Sequence, residues 1–381
     1  MTSALYIHWP FCLRKCPYCD FNSHVREGVD IATWQAALLA DMRHEAEAAP
    51  GGPLESVFFG GGTPSLMPPA LVEALLAEAE RLWGLAPDIE ITLEANPSSV
   101  EASRFAALAN AGVNRVSLGL QALDDAALQF LGRLHDVHDG LAALEIAQRH
   151  FARVSFDLIY ARPGQTPEAW HAELTRALSF GAGHLSLYQL TIEPGTRFAT
   201  AVRQGDFAPL ADDPAADLFA LTHALTGAAG LPAYEVSNHA HQGDESRHNL
   251  AYWRYRDYSG IGSGAHGRRG GFATTRHRKP ENWLAAVERN GHGLQEERAL
   301  SCSEQASEAL LMGLRLAEGV DLAALERRFG IGELIDRRKL AFHRELGFAW
   351  AEGSRVGITE AGMPLLDALL GELVPAALVT A

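Results

Sequence analysis

The chain has little cysteine and no long apolar run. Only four of its 381 residues are cysteines, and three of these lie within eight residues of one another. Such a crowded group does not form a disulfide framework, and in a reducing compartment it more often holds metal. No apolar stretch reaches the roughly 18 residues that span a bilayer, and the first residues lack the basic and apolar segments of a secretory signal. We therefore expect a cytoplasmic protein without a transmembrane segment.

Positive charge is also scarce. The chain carries 32 Lys and Arg residues against 47 Asp and Glu residues, which gives a formal net charge of −15. Binding along nucleic acid needs a surplus of clustered cations, so we expect no nucleic-acid partner. Hydrophobic residues make up 47% and charged residues 21% of the chain, as is typical of globular rather than disordered proteins. We expect one large domain with a smaller one attached.

The first half of the chain alternates short β-branched or aromatic runs with amphipathic stretches. Trp34, Leu38 and Met42 stand at helical spacing, and Thr166 with the proline after it predicts the capped start of another helix. Successive strand and helix units imply parallel strands with crossover helices. We therefore predict an α/β fold, a partial (β/α)6 TIM-like barrel over residues 1–212, with its chemistry at the carboxyl ends of the strands. The predicted strands cover residues 5–9, 56–59, 89–94, 115–120, 154–160 and 184–190.

Residues 213–299 form an extension with a different pattern. A capped helix starting at Asp213 leads into a short predicted strand at residues 234–236. Residues 238–279 are polar and rich in His, Arg and Gly, which makes them too irregular for a core element. Long loops of this kind in compact domains are usually either functional or disordered.

Residues 300–381 are typical of a mostly helical, winged-helix-like module. A DNA-reading version needs a basic recognition helix, yet residues 321–345 contain six Lys or Arg and five Asp or Glu. We therefore favour a structural or partner-docking lid. Residues 364–374 are apolar enough for transient membrane contact, but we expect them to pack on their own domain. The predicted helices cover residues 304–316, 322–329 and 332–346, followed by a hairpin at residues 348–359 and a last helix to about residue 373.

Three cysteines lie in the loop after the first predicted strand, at the expected functional end of the barrel. The spacing Cys12-x3-Cys16-x2-Cys19 lets one loop surround a single centre. Three thiolates with His8 or His24 would complete a tetrahedral zinc site. Three thiolates without a fourth also suit a [4Fe-4S] cluster that leaves one iron open for an exchangeable ligand. The spacing favours the cluster and leaves both centres open.

Six segments of the chain match family motifs. They read Cys12-Leu-Arg-Lys-Cys16-Pro-Tyr-Cys19, Tyr6-Ile-His-Trp-Pro-Phe-Cys12, Cys19-Asp-Phe-Asn-Ser-His24, Phe59-Gly-Gly-Gly-Thr-Pro64, Glu94-Ala-Asn-Pro97 and Asp157-Leu-Ile-Tyr160. The first resembles the signature of the radical S-adenosylmethionine (SAM) superfamily. Together they resemble the anaerobic coproporphyrinogen III oxidase family and, within it, the HemW-type haem chaperones. The similarity extends from residue 5 to the C-terminal module.

This resemblance implies a [4Fe-4S] cluster whose open iron is chelated by the amino and carboxylate groups of SAM. Glycines after the second barrel strand let bare backbone approach such a ligand. Glu94 ends the third strand, where a carboxylate can bond the ribose or balance the sulfonium, and Arg133 would pair with the SAM carboxylate. By resemblance, the cluster ligands are Cys12, Cys16 and Cys19, and the SAM-binding residues are Tyr6, Tyr18, Gly61, Gly62, Thr63, Glu94, Gln121, Arg133 and Asp157.

Two features distinguish the oxidase branch of this family from the chain. That branch carries an extra cysteine two residues after the third, where this chain has Phe21, and an N-terminal arm where this chain has only a few residues. Both departures argue against the decarboxylation of coproporphyrinogen. They leave open whether the chain is an enzyme at all.

A further segment, His248-Asn-Leu-Ala-Tyr-Trp253, resembles the HNxxYW motif associated with haem binding in the chaperone branch. An imidazole can ligate haem iron, and aromatic side chains present flat apolar faces to a porphyrin. The candidate haem-binding residues are His248, Asn249, Tyr252 and Trp253, and the histidines near them that could supply a second ligand are His239, His241 and His266.

These features together predict a haem chaperone that binds a [4Fe-4S] cluster, SAM and one haem and delivers the haem to an acceptor protein, such as a respiratory enzyme. The resemblance is compatible with a homodimer. Two alternatives are an oxygen-independent coproporphyrinogen III oxidase and a zinc-stabilised binding module. Cys302 has no matching role, and we expect a buried, inert thiol there.

Overall fold

The structure is a computed structural model that describes residues 2–26, 28–375 and 378. Within this part the strands form one eleven-stranded sheet, one three-stranded sheet and one two-stranded pair. The strands are β1 (Ala4–Trp9), β2 (Phe11–Cys12), β3 (His24–Val25), β4 (Leu54–Gly61), β5 (Leu85–Ala95), β6 (Arg115–Gln121), β7 (Arg153–Tyr160), β8 (His184–Gln189), β9 (Asn238–Ala240), β10 (Tyr258–Ile261), β11 (His266–Arg269), β12 (Phe272–Arg276), β13 (Leu294–Ala299), β14 (Val320–Asp321), β15 (Ala349–Glu352) and β16 (Arg355–Ile358).

The helices begin at polar caps in most cases. Thr166, for example, accepts a hydrogen bond from the backbone N–H of Ala169, as its position before a proline predicts. The α-helices are α1 (Ile31–Ala48), α2 (Pro69–Trp83), α3 (Ser99–Ala102), α4 (Phe105–Asn110), α5 (Asp125–Phe130), α6 (Val137–His150), α7 (Pro167–Leu178), α8 (Arg197–Gln204), α9 (Asp212–Ala228), α10 (Arg247–Trp253), α11 (Pro280–Asn290), α12 (Cys302–Gly313), α13 (Leu322–Phe329), α14 (Arg337–Glu345) and α15 (Leu366–Leu373).

The large sheet contains the predicted barrel. Strands β1, β4, β5, β6, β7 and β8 lie side by side and parallel in chain order. All six predicted strands and the partial (β/α)6 barrel are therefore confirmed. The sheet also extends beyond the prediction, since β10 pairs in parallel with the free edge of β1 and β9 pairs antiparallel with β8.

The extension is more regular than its composition suggested. The polar stretch of residues 238–279 contains β9 to β12 and α10, so the prediction that it was too irregular for a core element is wrong. The strand predicted at residues 234–236 is also wrong, because that segment is a bend and β9 begins at Asn238. The edge of β1 supplies hydrogen-bond partners to β10 whatever its side chains are, and β11 to β13 then add antiparallel strands in turn.

Buried charges hold the extension to α1. The Arg276 side chain of β12 is fully buried, and its guanidinium donates to Asp41 at 2.7 Å and to Glu45 at 2.8 Å. Asp41 also accepts hydrogen bonds from the backbone N–H groups of Gly262 and Gly293. A fully buried cation needs such partners, because losing water without compensation is costly. These bonds explain how an arginine of β12 lies inside the protein.

The barrel strands alternate between an apolar outer face and a polar interior. On β5, Ile91 and Leu93 belong to the main hydrophobic core, whereas Glu90 and Glu94, on the opposite face of the strand, make polar contacts. On β6, the hydroxyl of Ser117 donates to Asp157 of the neighbouring strand β7. This period of two follows from strand geometry, and it gives the barrel an interior able to hold a polar ligand.

The C-terminal module joins α12 to α15 with the antiparallel sheet β14-β16-β15. Its own hydrophobic cluster includes Leu366, Leu369 and Leu373, so the apolar segment at residues 364–374 packs on its own domain. Cys302 is exposed at the first position of α12, and the expectation of a buried thiol is wrong, because this end of the helix faces solvent. Among the described residues, no helix is both long enough and apolar enough to cross a membrane.

Candidate functional site

The three clustered cysteines lie at the carboxyl end of β1, as the barrel topology predicts. Cys12 ends the short strand β2 and is buried, while Cys16 and Cys19 are half-buried in the loop that follows. All three are free thiols. The pairing of β2 with β3 brings the loop back on itself, with Cys12 opposite Val25. One short loop therefore presents three thiols at the open end of the barrel.

Two glycines lie directly beside this loop. Gly61 has a φ of +120°, and a Cβ atom there would lie 2.7 Å from the Trp9 carbonyl oxygen. A Cβ atom on Gly62 would lie 2.9 Å from the Sγ atom of Cys12. Any larger residue would displace the cysteine loop, so glycine is required at both positions. The N–H group of Gly61 also donates to the Glu94 carboxylate at 3.2 Å.

Arg133 connects the cysteine loop to the barrel. Its Nη1 atom lies 3.4 Å from the Sγ atom of Cys16 and 3.3 Å from the Tyr18 hydroxyl. Its Nη2 atom donates to the Gly119 carbonyl oxygen at 2.8 Å and to the Asn96 side chain at 2.6 Å. The Nε atom is buried and has no hydrogen-bond partner among the described residues. An unpartnered buried donor at this place fits an anionic ligand group.

Asn96 is a site residue that sequence reasoning missed. Its side-chain carbonyl accepts from Arg133, and its amide donates to the Thr63 hydroxyl at 3.1 Å. Its own backbone N–H is held by Glu101 at 2.8 Å. Asn96 thus fixes both Thr63 and Arg133. Its place directly after β5, two residues beyond Glu94, is the signal that could have identified it.

Two carboxylates face each other inside the barrel. Burial and, secondly, the charge of Asp157 raise the pKa of Glu94 to about 8. Burial also raises the pKa of Asp157 to about 6, although the hydroxyl groups of Ser117 and Ser186 oppose that shift. Among the described residues, the Glu94 carboxylate accepts a single hydrogen bond, from the N–H group of Gly61. The site therefore favours a cation beside Glu94, since a positive charge would offset the cost of ionising both groups.

The remaining predicted SAM residues lie around the same opening. Gln121 ends β6 with a φ of +71°, and its side-chain amide turns back towards Gly119. The Tyr6 hydroxyl lies 2.9 Å from the Nδ1 atom of His8, and burial raises the pKa of Tyr6 well above its usual value. Thr63 is buried beside Asn96. The structure thus brings together the residues that the sequence proposed for cluster and SAM, while their individual roles remain predictions.

The donor set fits an iron–sulfur cluster better than the proposed zinc site. Both nitrogens of His8 are already engaged, with the Tyr6 hydroxyl and with the Asn22 carbonyl oxygen at 2.9 Å each. The Nε2 atom of His24 lies 3.3 Å from the Arg278 carbonyl oxygen. Among the described residues, no three His, Cys, Asp or Glu side chains converge on one metal ion. A [4Fe-4S] cluster does not need its three cysteines to converge on one atom, because each thiolate binds a different iron atom.

The HNLAYW segment forms α10, which closes the opposite end of the barrel. Glu90, another residue that sequence reasoning missed, accepts from the backbone N–H of His248 at 3.2 Å and from Arg153 at 2.8 Å. The His248 ring is 1% exposed, with Nδ1 3.1 Å from the Ser56 hydroxyl and Nε2 2.7 Å from the Tyr252 hydroxyl. Burial lowers the pKa of His248 to about 3. Both ring nitrogens that could bind iron are therefore occupied.

The other residues proposed to bind haem with His248 do not converge on its imidazole ring. Trp253 lies under the Arg315 guanidinium of the C-terminal module at 4.7 Å, and Asn249 donates its backbone N–H to the Ser246 cap. The three histidines suggested as second ligands point elsewhere: His239 bonds to Thr226, His241 bonds to the Gly230 carbonyl oxygen, and His266 is exposed at the start of β11. The structure therefore does not bring a second imidazole to His248.

Comparison with known proteins agrees with this geometry. Residues 6–176 match the Radical SAM superfamily, and residues 300–365 match the HemN C-terminal domain. The heme chaperone HemW of Escherichia coli K12 is 37% identical over 96% of this chain and 97% of its own length. A mitochondrial radical S-adenosyl methionine domain-containing protein 1 of Bos taurus is 42% identical over 84% of this chain and 74% of its own length.

A solved structure shows the same fold. Coproporphyrinogen III oxidase (HemN) from Escherichia coli superposes with a TM-score of 0.80 over 97% of this chain and 89% of its own, at 22% identity. That likeness covers both the barrel and the C-terminal module. Since the curated relatives match nearly the whole chain above 30% identity, the chain belongs to the radical SAM superfamily and, within it, to the family of the heme chaperone HemW.

Proposed function

We propose that this protein is a haem chaperone that holds a [4Fe-4S] cluster with SAM and passes haem to an acceptor protein. One observation carries the cofactor part of the proposal: three free cysteines, the unpartnered Nε of Arg133 and the paired carboxylates Glu94 and Asp157 surround a single opening. Membership of the HemW family supports the haem part.

Each group at the opening has a separate task. The three cysteines ligate the cluster, which when bound supplies an electron and an open iron position for SAM. Arg133 meets the carboxylate of SAM with its free Nε–H, while Glu94 balances the sulfonium charge. Gly61 and Gly62 let the ligand approach the backbone. Tyr6 and Gln121 line the same opening and complete the pocket.

The haem part of the proposal uses α10. In this proposal, His248 ligates the haem iron, and Tyr252 and Trp253 pack against the porphyrin. For this to happen, α10 must move away from the end of the barrel that it closes. The hydrogen bonds of His248 to Ser56 and Tyr252 must also break. The HNLAYW motif and membership of the HemW family support this role of α10. The same proposal places the protein in the cytoplasm, with a respiratory haem enzyme as the acceptor and a homodimer as its assembly.

The test is a haem titration of anaerobically reconstituted protein, followed by optical spectra, with turnover of coproporphyrinogen III assayed on the same samples. We expect stoichiometric haem binding and no turnover. Turnover with release of 5′-deoxyadenosine would instead identify an oxidase, and failure to bind haem would refute the chaperone. Iron and sulfide analysis of the same samples distinguishes the cluster from zinc. Light scattering during size-exclusion chromatography measures the oligomeric state.

A further inference from the structure

The outer side of the cysteine loop exposes large apolar side chains. Phe21 is 61% exposed and Val25 is 53% exposed, and both lie within six residues of Cys19 in the sequence. Phe21 occupies the position where the oxidase branch has its extra cysteine. Exposed apolar groups beside a functional site commonly mark a binding surface. A flat apolar ligand would cover these two side chains.

Two other segments of the chain meet the loop at this point. The Asn22 side-chain amide donates to the Ser263 carbonyl oxygen at 2.9 Å and to the Arg278 carbonyl oxygen at 3.0 Å. His24 contacts the same Arg278 carbonyl oxygen through Nε2. The turn before β11 and the segment after β12 are therefore fixed against the residues next to Phe21. His266 is exposed at the start of β11, two residues after Gly264, where an added Cβ atom would lie 2.1 Å from the Asn22 side-chain nitrogen.

His266 offers an exposed imidazole there. The Nε2 atom of His8 lies 2.9 Å from the Asn22 carbonyl oxygen of the cysteine loop, and the pKa of His8 is lowered to about 4 by burial and then by the charges of His266 and His24. His266 is exposed, in contrast to the 1% exposure of His248. Within the part of the chain that the structure describes, no hydrogen bond to the His266 ring is present. Its nitrogens are accordingly open to a metal.

Two cations complete this surface. Lys15 reaches the Phe21 carbonyl oxygen at 3.5 Å, and Arg278 is exposed beside His24 and His266. Neither side chain forms an ion pair with a carboxylate among the described residues. The surface thus combines apolar faces, a free imidazole and two positive charges. We name these residues the loop patch: Lys15, Phe21, His24, Val25, His266 and Arg278.

We propose that the loop patch is a haem-docking site, in which His266 binds the iron, Phe21 and Val25 cover the porphyrin face, and the two cations pair with the propionates. Haem is a flat apolar ring with two carboxylates and an iron that accepts imidazole, and the patch matches each of these features. This site deepens the proposed haem-carrier function and rests on it. It is accessible while α10 still closes the barrel, so it binds haem before His248 can.

The first experiment measures haem affinity by optical titration of anaerobically reconstituted protein. His266→Ala should weaken binding by at least about tenfold, because losing an iron ligand costs no less than losing a residue that merely orients a ligand. His138→Ala, which removes an exposed histidine of α6 outside the patch, should leave the affinity unchanged. Unchanged affinity in His266→Ala would overturn the proposal, and wild-type protein that binds no haem would refute the haem-carrier function itself.

The second experiment tests the charges. The double variant Lys15→Glu, Arg278→Glu should weaken haem binding by about fivefold or more, since two surface ion pairs become repulsive contacts. Haem dimethyl ester, whose propionates carry no charge, should bind this variant and the wild type equally. Equal loss of affinity for haem and its ester would contradict the assigned propionate contacts. Iron and sulfide content measured on every variant shows whether the cysteine loop is intact.

Discussion

The Nη1 atom of Arg133 lies 3.4 Å from the Sγ atom of Cys16. The same guanidinium is anchored to the barrel by Asn96 and the Gly119 carbonyl oxygen, while its Nε has no partner among the described residues. One side chain therefore holds the cysteine loop in place and still offers a donor to a ligand. In the proposed SAM site, this side chain would therefore contact both the cysteine loop and the ligand.

Arg133→Gln should lower SAM affinity while leaving cluster content unchanged. A hydrogen bond to a charged group contributes about 1.5–3 kcal/mol, so we expect a loss of about tenfold to a hundredfold. Calorimetry on reconstituted protein measures the affinity, and iron and sulfide analysis measures the cluster. Arg149→Gln, on the exposed surface of α6, is the matched control. Wild-type affinity in Arg133→Gln would remove this residue from the SAM site.

The affinity for SAM should rise with pH between about 6 and 8. The pKa of Glu94 is raised to about 8 without ligand, so the group must lose its proton before it can balance a sulfonium. Each proton released on binding strengthens affinity by up to about tenfold per pH unit below that pKa. Calorimetry across this range should show the rise in wild type and its absence in Glu94→Gln. A flat wild-type profile would contradict this role.

The same carboxyl group should affect stability in the opposite direction. Folded Glu94 keeps its proton up to about pH 8, whereas the unfolded chain loses it near the ordinary value of 4.5. The folded state therefore binds more protons between these limits, and the free energy of unfolding falls as the pH rises through them. Urea unfolding of protein without SAM should show a weaker fall in Glu94→Gln. An identical slope in both proteins would show that Glu94 is not perturbed.

Three of the four cysteines should be needed for the cluster. Serine at Cys12, Cys16 or Cys19 should each abolish iron and sulfide incorporation, because each removes one thiolate from a loop that holds only three. Cys302→Ser should retain wild-type content, since Cys302 is exposed on α12 in the C-terminal module. Metal and sulfide analysis after anaerobic reconstitution checks all four variants. Cluster loss in Cys302→Ser would identify a fourth ligand.

Asp41→Ala should be strongly destabilising. The change leaves Arg276 buried with only Glu45 as a partner and removes the acceptor for two backbone N–H groups. Breaking such a buried pair lowers the free energy of unfolding by about 3–5 kcal/mol. Glu47→Ala, on the exposed face of the same helix, should change it by less than about 0.5 kcal/mol. Chemical denaturation compares the two variants, and equal midpoints would contradict the role given to Asp41.

The sequence predicted the barrel strands correctly because buried parallel strands consist of short β-branched and aromatic runs that periodicity detects. It also located the cysteine loop, because ligands that lie within eight residues of one another need no tertiary contact to be recognised. The segment at residues 238–279 was misjudged, since the strands there depend on pairing with β1 and on the neutralisation of Arg276 by α1. Such partners are more than two hundred residues away in the chain.

By itself, the sequence determined the fold class, the position of the cysteine loop and the family, because each is encoded in local patterns of residues. Only the tertiary structure decided which of those residues are buried and which side chains they contact. It placed Asn96 between Thr63 and Arg133, and it buried His248 with both nitrogens bonded while leaving His266 exposed at the start of β11. Burial and hydrogen-bond partners depend on which distant segments meet, and no local pattern specifies them.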